Sequence, residues 1–217
     1  MLAVLCVSIG FAAVSGPAAQ QKAQLISAIA ALRRGPTVPL RNDVLDMVSQ
    51  LEAINDGDVS GPVDGRWALI FSTQIETAQR INTQSNMLQP LIDATYGLFF
   101  KVAPALAGAQ PDGSSSAASN EQIVDTAGGE VRNRVRVPLP GQQTLEILVN
   151  GEVEPESSNE LRVTFTDCSF QLQEGRPLRL PLPRPVGSLT TTWCDDDMRI
   201  SRGGRGGIFV LRRIRSQ

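Results

Sequence analysis

Apolar residues in the first quarter of the chain recur every three or four positions. Over residues 21–34, Leu25, Ile29 and Leu32 fall on one stripe, which Ile26 and Ala30 widen before Gly35 and Pro36 end it. Over residues 42–54, Val44, Met47, Val48, Leu51 and Ile54 form a second stripe, with Asn42 or Asp43 as the cap and Asn55, Asp56 and Gly57 as the stop. The pattern predicts two short amphipathic helices, within residues 21–55, whose apolar faces pack on the body of the chain.

From residue 65 onward the period is two. Trp67, Leu69 and Phe71 alternate with Arg66, Ala68 and Ile70, and Val131, Val135 and Val137, with Asn133 among them, alternate with Arg132, Arg134 and Arg136. Leu145, Ile147 and Val149 continue the alternation up to Asn150-Gly151, a hairpin signal, after which residues 152–156 extend a returning edge. Leu161, Val163 and Phe165 are apolar at odd positions, but Cys168, Phe170 and Leu172 at even ones. That one-residue slip predicts a β-bulge near Thr166-Asp167. Residues 187–194, 198–202 and 207–213 read as three short strands separated by turns at Asp195-Asp196 and Gly203 to Gly206, and residues 121–126 as a weaker one. About eight antiparallel strands are enough to close a small barrel that holds one ligand.

Two segments break the pattern. Residues 104–120 are low in complexity and read as a mobile loop, and residues 177–185, PLRLPLPRP, are too proline-rich for a central strand and read as an extended connector. Ahead of the loop, residues 86–105 carry Leu88, Leu91, Ile92, Thr95, Leu98 and Phe99 on one helical face, with Tyr96 and Phe100 adding aromatic bulk. Three readings of this face are open: an ordinary core helix, a lid over a barrel mouth, or a wedge that enters a lipid surface. The first 20 residues are apolar and uncharged, resemble a targeting leader, and are set apart from the fold.

Composition narrows the chemistry. The 217 residues suit one domain, over residues 21–215 with the barrel at 65–213. Their 20 basic and 22 acidic residues leave a net charge of −2 that steers toward neither nucleic acid nor an anionic membrane. Histidine is absent, which removes Ser-His-Asp and Cys-His nucleophiles and imidazole ligands for a metal. The three cysteines, Cys6, Cys168 and Cys194, are too few and too scattered for a zinc site. Cys168 and Cys194 are expected as buried thiols, a bridge between neighbouring strands being the other possibility. No paired carboxylates stand where acid and base catalysis would place them, so no catalytic residue, metal or cofactor is expected.

Three motifs remain. The RGGRGG run at 202–207 lacks the aromatic interleaving of an RNA-binding box and reads as a tight turn with positive φ. Asp195, Asp196 and Asp197 cannot all face one ion and read as a turn that pairs with the arginines after it. In a strand after that turn, Asp197 and Arg199 share one face and Arg202 the other. Arg199 is then expected to pair with the acidic turn, and Arg202 to reach a carboxylate on the N-terminal helices. With Gly203 and Arg212 these residues form a structural clasp. Finally, Gly65-Arg66-Trp67, with Arg212 and Arg213 at the other end, is similar to the G-x-W plus arginine arrangement of lipocalins, in which a last-strand guanidinium stacks on a first-strand indole.

The stretches AQLISAIAALRRG, RNDVLDMVSQLEAIN and GRWALIFST, with DDDMRISRGGRGGIFVLRR at the end, resemble the plastid lipid-associated protein (PAP) or fibrillin family, also called plastoglobulins. The middle, VDTAGGEVRNRVRV and LRVTFTDCSFQL, is a looser match. The fold expected is mainly β: a lipocalin-like antiparallel barrel of about eight strands with two short N-terminal helices. The resemblance implies a non-catalytic plastid protein of plastoglobules or thylakoids, with peripheral contact to a lipid surface. It would bind a carotenoid, quinone, tocopherol or acyl lipid. Trp67, Leu69, Phe71, Val135, Phe165 and Trp193 are the expected interior of the barrel. A structural coat protein with no internal ligand is the alternative.

Overall fold

A computed structural model describes residues 16–35, 37–54, 62–73, 119–173, 175–182, 184–204 and 206–215. The leader-like start up to residue 15, the face at 86–105 and the loop at 104–118 lie outside the described residues. Among those described are two helices, α1 (Pro17–Arg34) and α2 (Val38–Ile54). Nine strands follow: β1 (Gly65–Ser72), β2 (Ser119–Asp125), β3 (Glu130–Leu139), β4 (Gln143–Pro155), β5 (Glu160–Leu172), β6 (Leu178–Pro181), β7 (Val186–Cys194), β8 (Met198–Gly203) and β9 (Ile208–Arg213). No helix of the described residues is long and apolar enough to cross a membrane.

Eight of the strands close into a barrel-like antiparallel ring, in the order β1, β2, β3, β4, β5, β7, β8, β9 and back to β1. Closure rests on the first and last strands, whose register sets Trp67 opposite Arg213 and Leu69 opposite Leu211. The expected bulge is present: Asn150 opposes Asp167 and Gly151 opposes Phe165, so Thr166 is the extra residue on β5. It lets β5 change partner. Before Thr166 the strand bonds to β7 through residues 160–164, and after it to β6 through residues 167–170.

Four local expectations are corrected. Asn150-Gly151 is no hairpin turn, because β4 runs through it and the chain reverses at residues 156–159. A Cβ on Gly151 would stand 2.9 Å from the Thr164 carbonyl oxygen and 3.1 Å from Val131 Cγ1, so glycine serves a close approach of strands there. The proline-rich connector contains the short edge strand β6, a place where a missing N–H is tolerated. Ser119 and Asn120, assigned to the loop, open β2. Both helices also begin earlier than their apolar stripes: α1 starts on Pro17, inside the leader-like stretch, and α2 at Val38, where Leu40 N–H donates to Thr37 Oγ1 at 3.4 Å.

The helices lie on the outer face of β7, β8, β9 and β1. Leu25, Ile29 and Leu32 of α1 and Val44, Val48 and Leu51 of α2 pack against Phe71, Trp193, Met198, Ile200 and Val210. Each such aliphatic side chain contributes about 1.5–3 kcal/mol by the area removed from water. β8 is therefore buried on both faces, with Met198 and Ile200 toward the helices and Arg199 and Ser201 toward the interior. Polar ties fix the same contact: Lys22 of α1 bonds Asp195 at 2.8 Å, and Glu52 of α2 bonds Arg202 and Thr192.

Candidate functional site

Inward-facing positions of the ring surround a cavity of about 400 Å³. Val124, Val131, Val153, Leu161 and Val163 make one apolar wall, and Leu69, Phe165, Leu189, Phe209 and Leu211 much of the rest. These alternate with outward residues along each strand, as the period of two requires. The polar members are Ser72, Thr73, Ser188, Arg199 and Ser201, with Asn120, Gln122 and Asn133 from the adjoining strands β2 and β3.

Trp67 lies behind the cavity wall, against the lining residues Leu69, Phe209 and Leu211. The indole is fully buried beside Cys194 and Leu211, and its Nε1 donates to the Val63 carbonyl at 2.9 Å. Two guanidiniums stand over its ring, that of Arg213 at 4.0 Å and that of Arg199 at 4.9 Å from the centroid. Each such contact is favourable by roughly 0.5–2 kcal/mol, more when shielded from water. Arg213 also donates from Nη1 to the Asp64 carbonyl at 2.9 Å and from Nη2 to that of Pro62 at 2.6 Å, which locks the chain entering β1 against the end of β9.

Arg199 is the unusual member. It is fully buried, donates from Nη1 to the Val63 carbonyl at 3.2 Å and from Nη2 to Gln122 Oε1, and its Nε meets no partner among the described residues. Burial pulls its pKa down to about 10, so it stays charged at neutral pH. It makes no ion pair with the acidic turn. Asp195 and Asp197 pair instead with Lys22, at 2.8 and 3.7 Å, and Asp197 also with Arg215. The expected Asp197–Arg199 pairing is thus corrected, because Arg199 points into the ring, whereas the turn projects toward α1.

A family profile described as PAP_fibrillin matches residues 19–212. The chain belongs to the PAP_fibrillin family. Plastid lipid-associated protein 3, chloroplastic, of Brassica campestris is 31% identical over 202 residues, covering 80% of this chain and 54% of its own length. Plastoglobulin-1, chloroplastic, of Pisum sativum is 29% identical over 202 residues, covering 80% of this chain and 54% of its own length. The chain thus spans about half the length of the curated relatives it matches.

In this PAP_fibrillin chain the expected interior residues divide three ways. Leu69 and Phe165 line the cavity, and Trp67 does not reach it but packs behind Leu69, Phe209 and Leu211, which do. Val135 is buried but not at the cavity: it joins Ile147, Val149 and Cys168 in a separate cluster. Phe71 and Trp193 are corrected outright, since both lie outside the ring beneath the helices. Each follows a one-residue irregularity, between Leu69 and Phe71 on β1 and between Thr191 and Trp193 on β7, that turns later odd positions outward.

The clasp residues are spread as well. Arg202 binds Glu52 of α2 through two hydrogen bonds of 2.8 and 2.5 Å. Gly203 lies at the cavity rim, its N–H bonded to the Gly207 carbonyl at 2.8 Å, while Gly206 takes the positive φ of 82° in that turn. Arg212 faces outward and is exposed, so the last-strand arginine over Trp67 is Arg213. Cys168 and Cys194 are both buried thiols in separate clusters, and burial pushes the Cys168 pKa up to about 11. Sequence reading set Asn133 on the inner face of its strand without giving it a role and missed Gln122, whose only signal is a polar residue at an inward position of an otherwise apolar alternation.

Proposed function

We propose that this chain is a non-catalytic plastid protein that encloses one small hydrophobic molecule within the ring, at plastoglobules or thylakoids. The observation that carries the reading is the cavity of about 400 Å³, apolar over most of its wall, with Trp67 packed behind the lining residues Leu69, Phe209 and Leu211. Its size lies within the roughly 300–1,000 Å³ typical of small-molecule sites, and apolar surface there gains by leaving water. A carotenoid, quinone, tocopherol or acyl lipid meets the chemistry of the wall, and the smaller of these match the volume best. The names of the relatives, plastid lipid-associated protein and plastoglobulin, support the plastid location and the lipid setting. The lack of histidine supports a role in holding, not converting, the ligand.

Purification from plastids followed by extraction and mass spectrometry tests the reading. A single class of hydrophobic molecule recovered in stoichiometric amount is expected. A folded protein that carries none, found on lipid globules, would favour the coat-protein alternative. A tagged protein with its native N-terminus that stayed in the cytosol would overturn the location.

A further inference from the structure

Arg199 is a fully buried charge at the cavity with no carboxylate at ion-pair distance among the described residues, and the Asp64 carboxylate, which is bonded to Thr126, acts on it only through space. Its direct contacts are the Val63 carbonyl, the Trp67 face and Gln122, and the Arg213 guanidinium shares the Trp67 ring with it. A guanidinium only donates, so Gln122 must turn its oxygen toward Arg199. The Gln122 amide nitrogen then donates to Asn133 Oδ1 at 3.0 Å. Asn133, with its oxygen engaged, is left with an N–H₂ that makes no hydrogen bond to a described residue, and it lines the cavity. The polarity of the whole relay is set by Arg199, and what it offers an occupant of the cavity is a donor backed by positive charge.

We propose that the cavity takes its ligand head first, and that the head is a hydrogen-bond-accepting oxygen, a carboxylate or a carbonyl, received at Asn133 and Gln122 with Arg199 behind them. The proposal rests on the reading that the ring encloses a hydrophobic ligand and adds the chemistry of the head group. A charge left in an apolar interior is costly, and an acceptor at this spot offsets that cost. A cationic head meets the same field with the opposite sign and is repelled. The apolar tail lies along the Val131, Val153 and Val163 wall.

Calorimetric titration of the full chain near neutral pH with dodecanoate, dodecylamine, dodecanol and a short-chain prenylquinone tests this, alongside Asn133→Asp and Asn133→Leu. Both substitutions sit on the cavity wall, and circular dichroism checks the fold. Dodecanoate or the prenylquinone is expected to bind about tenfold tighter than dodecylamine. Asn133→Leu should remove that preference, and Asn133→Asp should invert it in favour of the amine. A preference carried by dodecanoate identifies an acidic head, and one carried by the quinone alone a neutral carbonyl. Equal binding of dodecanoate, prenylquinone and dodecylamine, unmoved by Asn133→Asp, would overturn the acceptor head and leave the hydrophobic cavity standing. Failure of all four to bind would overturn both.

Discussion

Arg202 on β8 grips Glu52 on α2 through a paired contact, Nε to Oε1 at 2.8 Å and Nη2 to Oε2 at 2.5 Å. Thr192 on β7 adds its hydroxyl to Glu52 Oε1 at 2.7 Å. The carboxylate is largely shielded from solvent, while the guanidinium is about half exposed. Arg202→Met therefore leaves a shielded charge with one neutral partner. The expected cost is about 1–2 kcal/mol, less than for a fully buried pair because water reaches the arginine. At roughly 2–4 °C per kcal/mol for a chain of this size, thermal unfolding should shift down by a few degrees. Ligand affinity should not change, and a loss of binding at unchanged stability would contradict the placement of Arg202 outside the ring.

The Lys22–Asp195 pair, at 2.8 Å, makes the same kind of tie for α1. Desolvation alone would raise the Asp195 pKa, but the Lys22 hydrogen bond and the amides of Asp197 and Met198 outweigh it, and the carboxyl sits below its usual value. A depressed folded pKa gives stability that is present above the unfolded value near 4 and is lost as pH falls through the folded value. Acid unfolding of the wild type should steepen below about pH 4, and Asp195→Asn should flatten that limb. Superimposable pH profiles for the two proteins would show that the turn does not anchor α1.

How much of this was legible in the sequence depended on whether a strand had one polar face. β3, with arginines outside and valines inside, could be read directly, and the phase slip at Thr166 located the bulge because both halves of β5 alternate cleanly. β1 and β7 were harder. Where the helices cover the ring, outward positions are apolar too, so the irregularities before Phe71 and Trp193 leave no trace in hydrophobicity, and the side chains after them change face unseen. Arg199 misled for a related reason. An arginine after three aspartates reads as their ion-pair partner, but alternation from Met198, which is held by the helices, turns Arg199 inward. Asn150-Gly151 carried a turn signal that close packing against Thr164 and Val131 explains differently.

Gly65 tests the closed end of the ring. Its φ of 122° suits glycine alone, and a Cβ there would stand 2.7 Å from Arg213 Nη1, the atom that bonds the Asp64 carbonyl. Gly65→Ala should cost about 1–3 kcal/mol, read as a lower denaturant midpoint with an unchanged slope. An unaltered midpoint would mean that the Arg213 contact with Trp67 and the β1 entry contributes little.

The central claim, that the cavity holds a hydrophobic ligand, is tested most directly by tryptophan emission in a Trp193→Phe background. Trp193 lies outside the ring beneath the helices, so its removal leaves Trp67, directly behind the cavity residues Leu69, Phe209 and Leu211, as the sole tryptophan reporter. Titration with a prenylquinone should give saturable quenching, and Val163→Phe, which places a ring in the cavity, should weaken it at least tenfold while circular dichroism stays unchanged. Quenching that does not saturate, or that is the same with the cavity filled, would contradict an internal ligand.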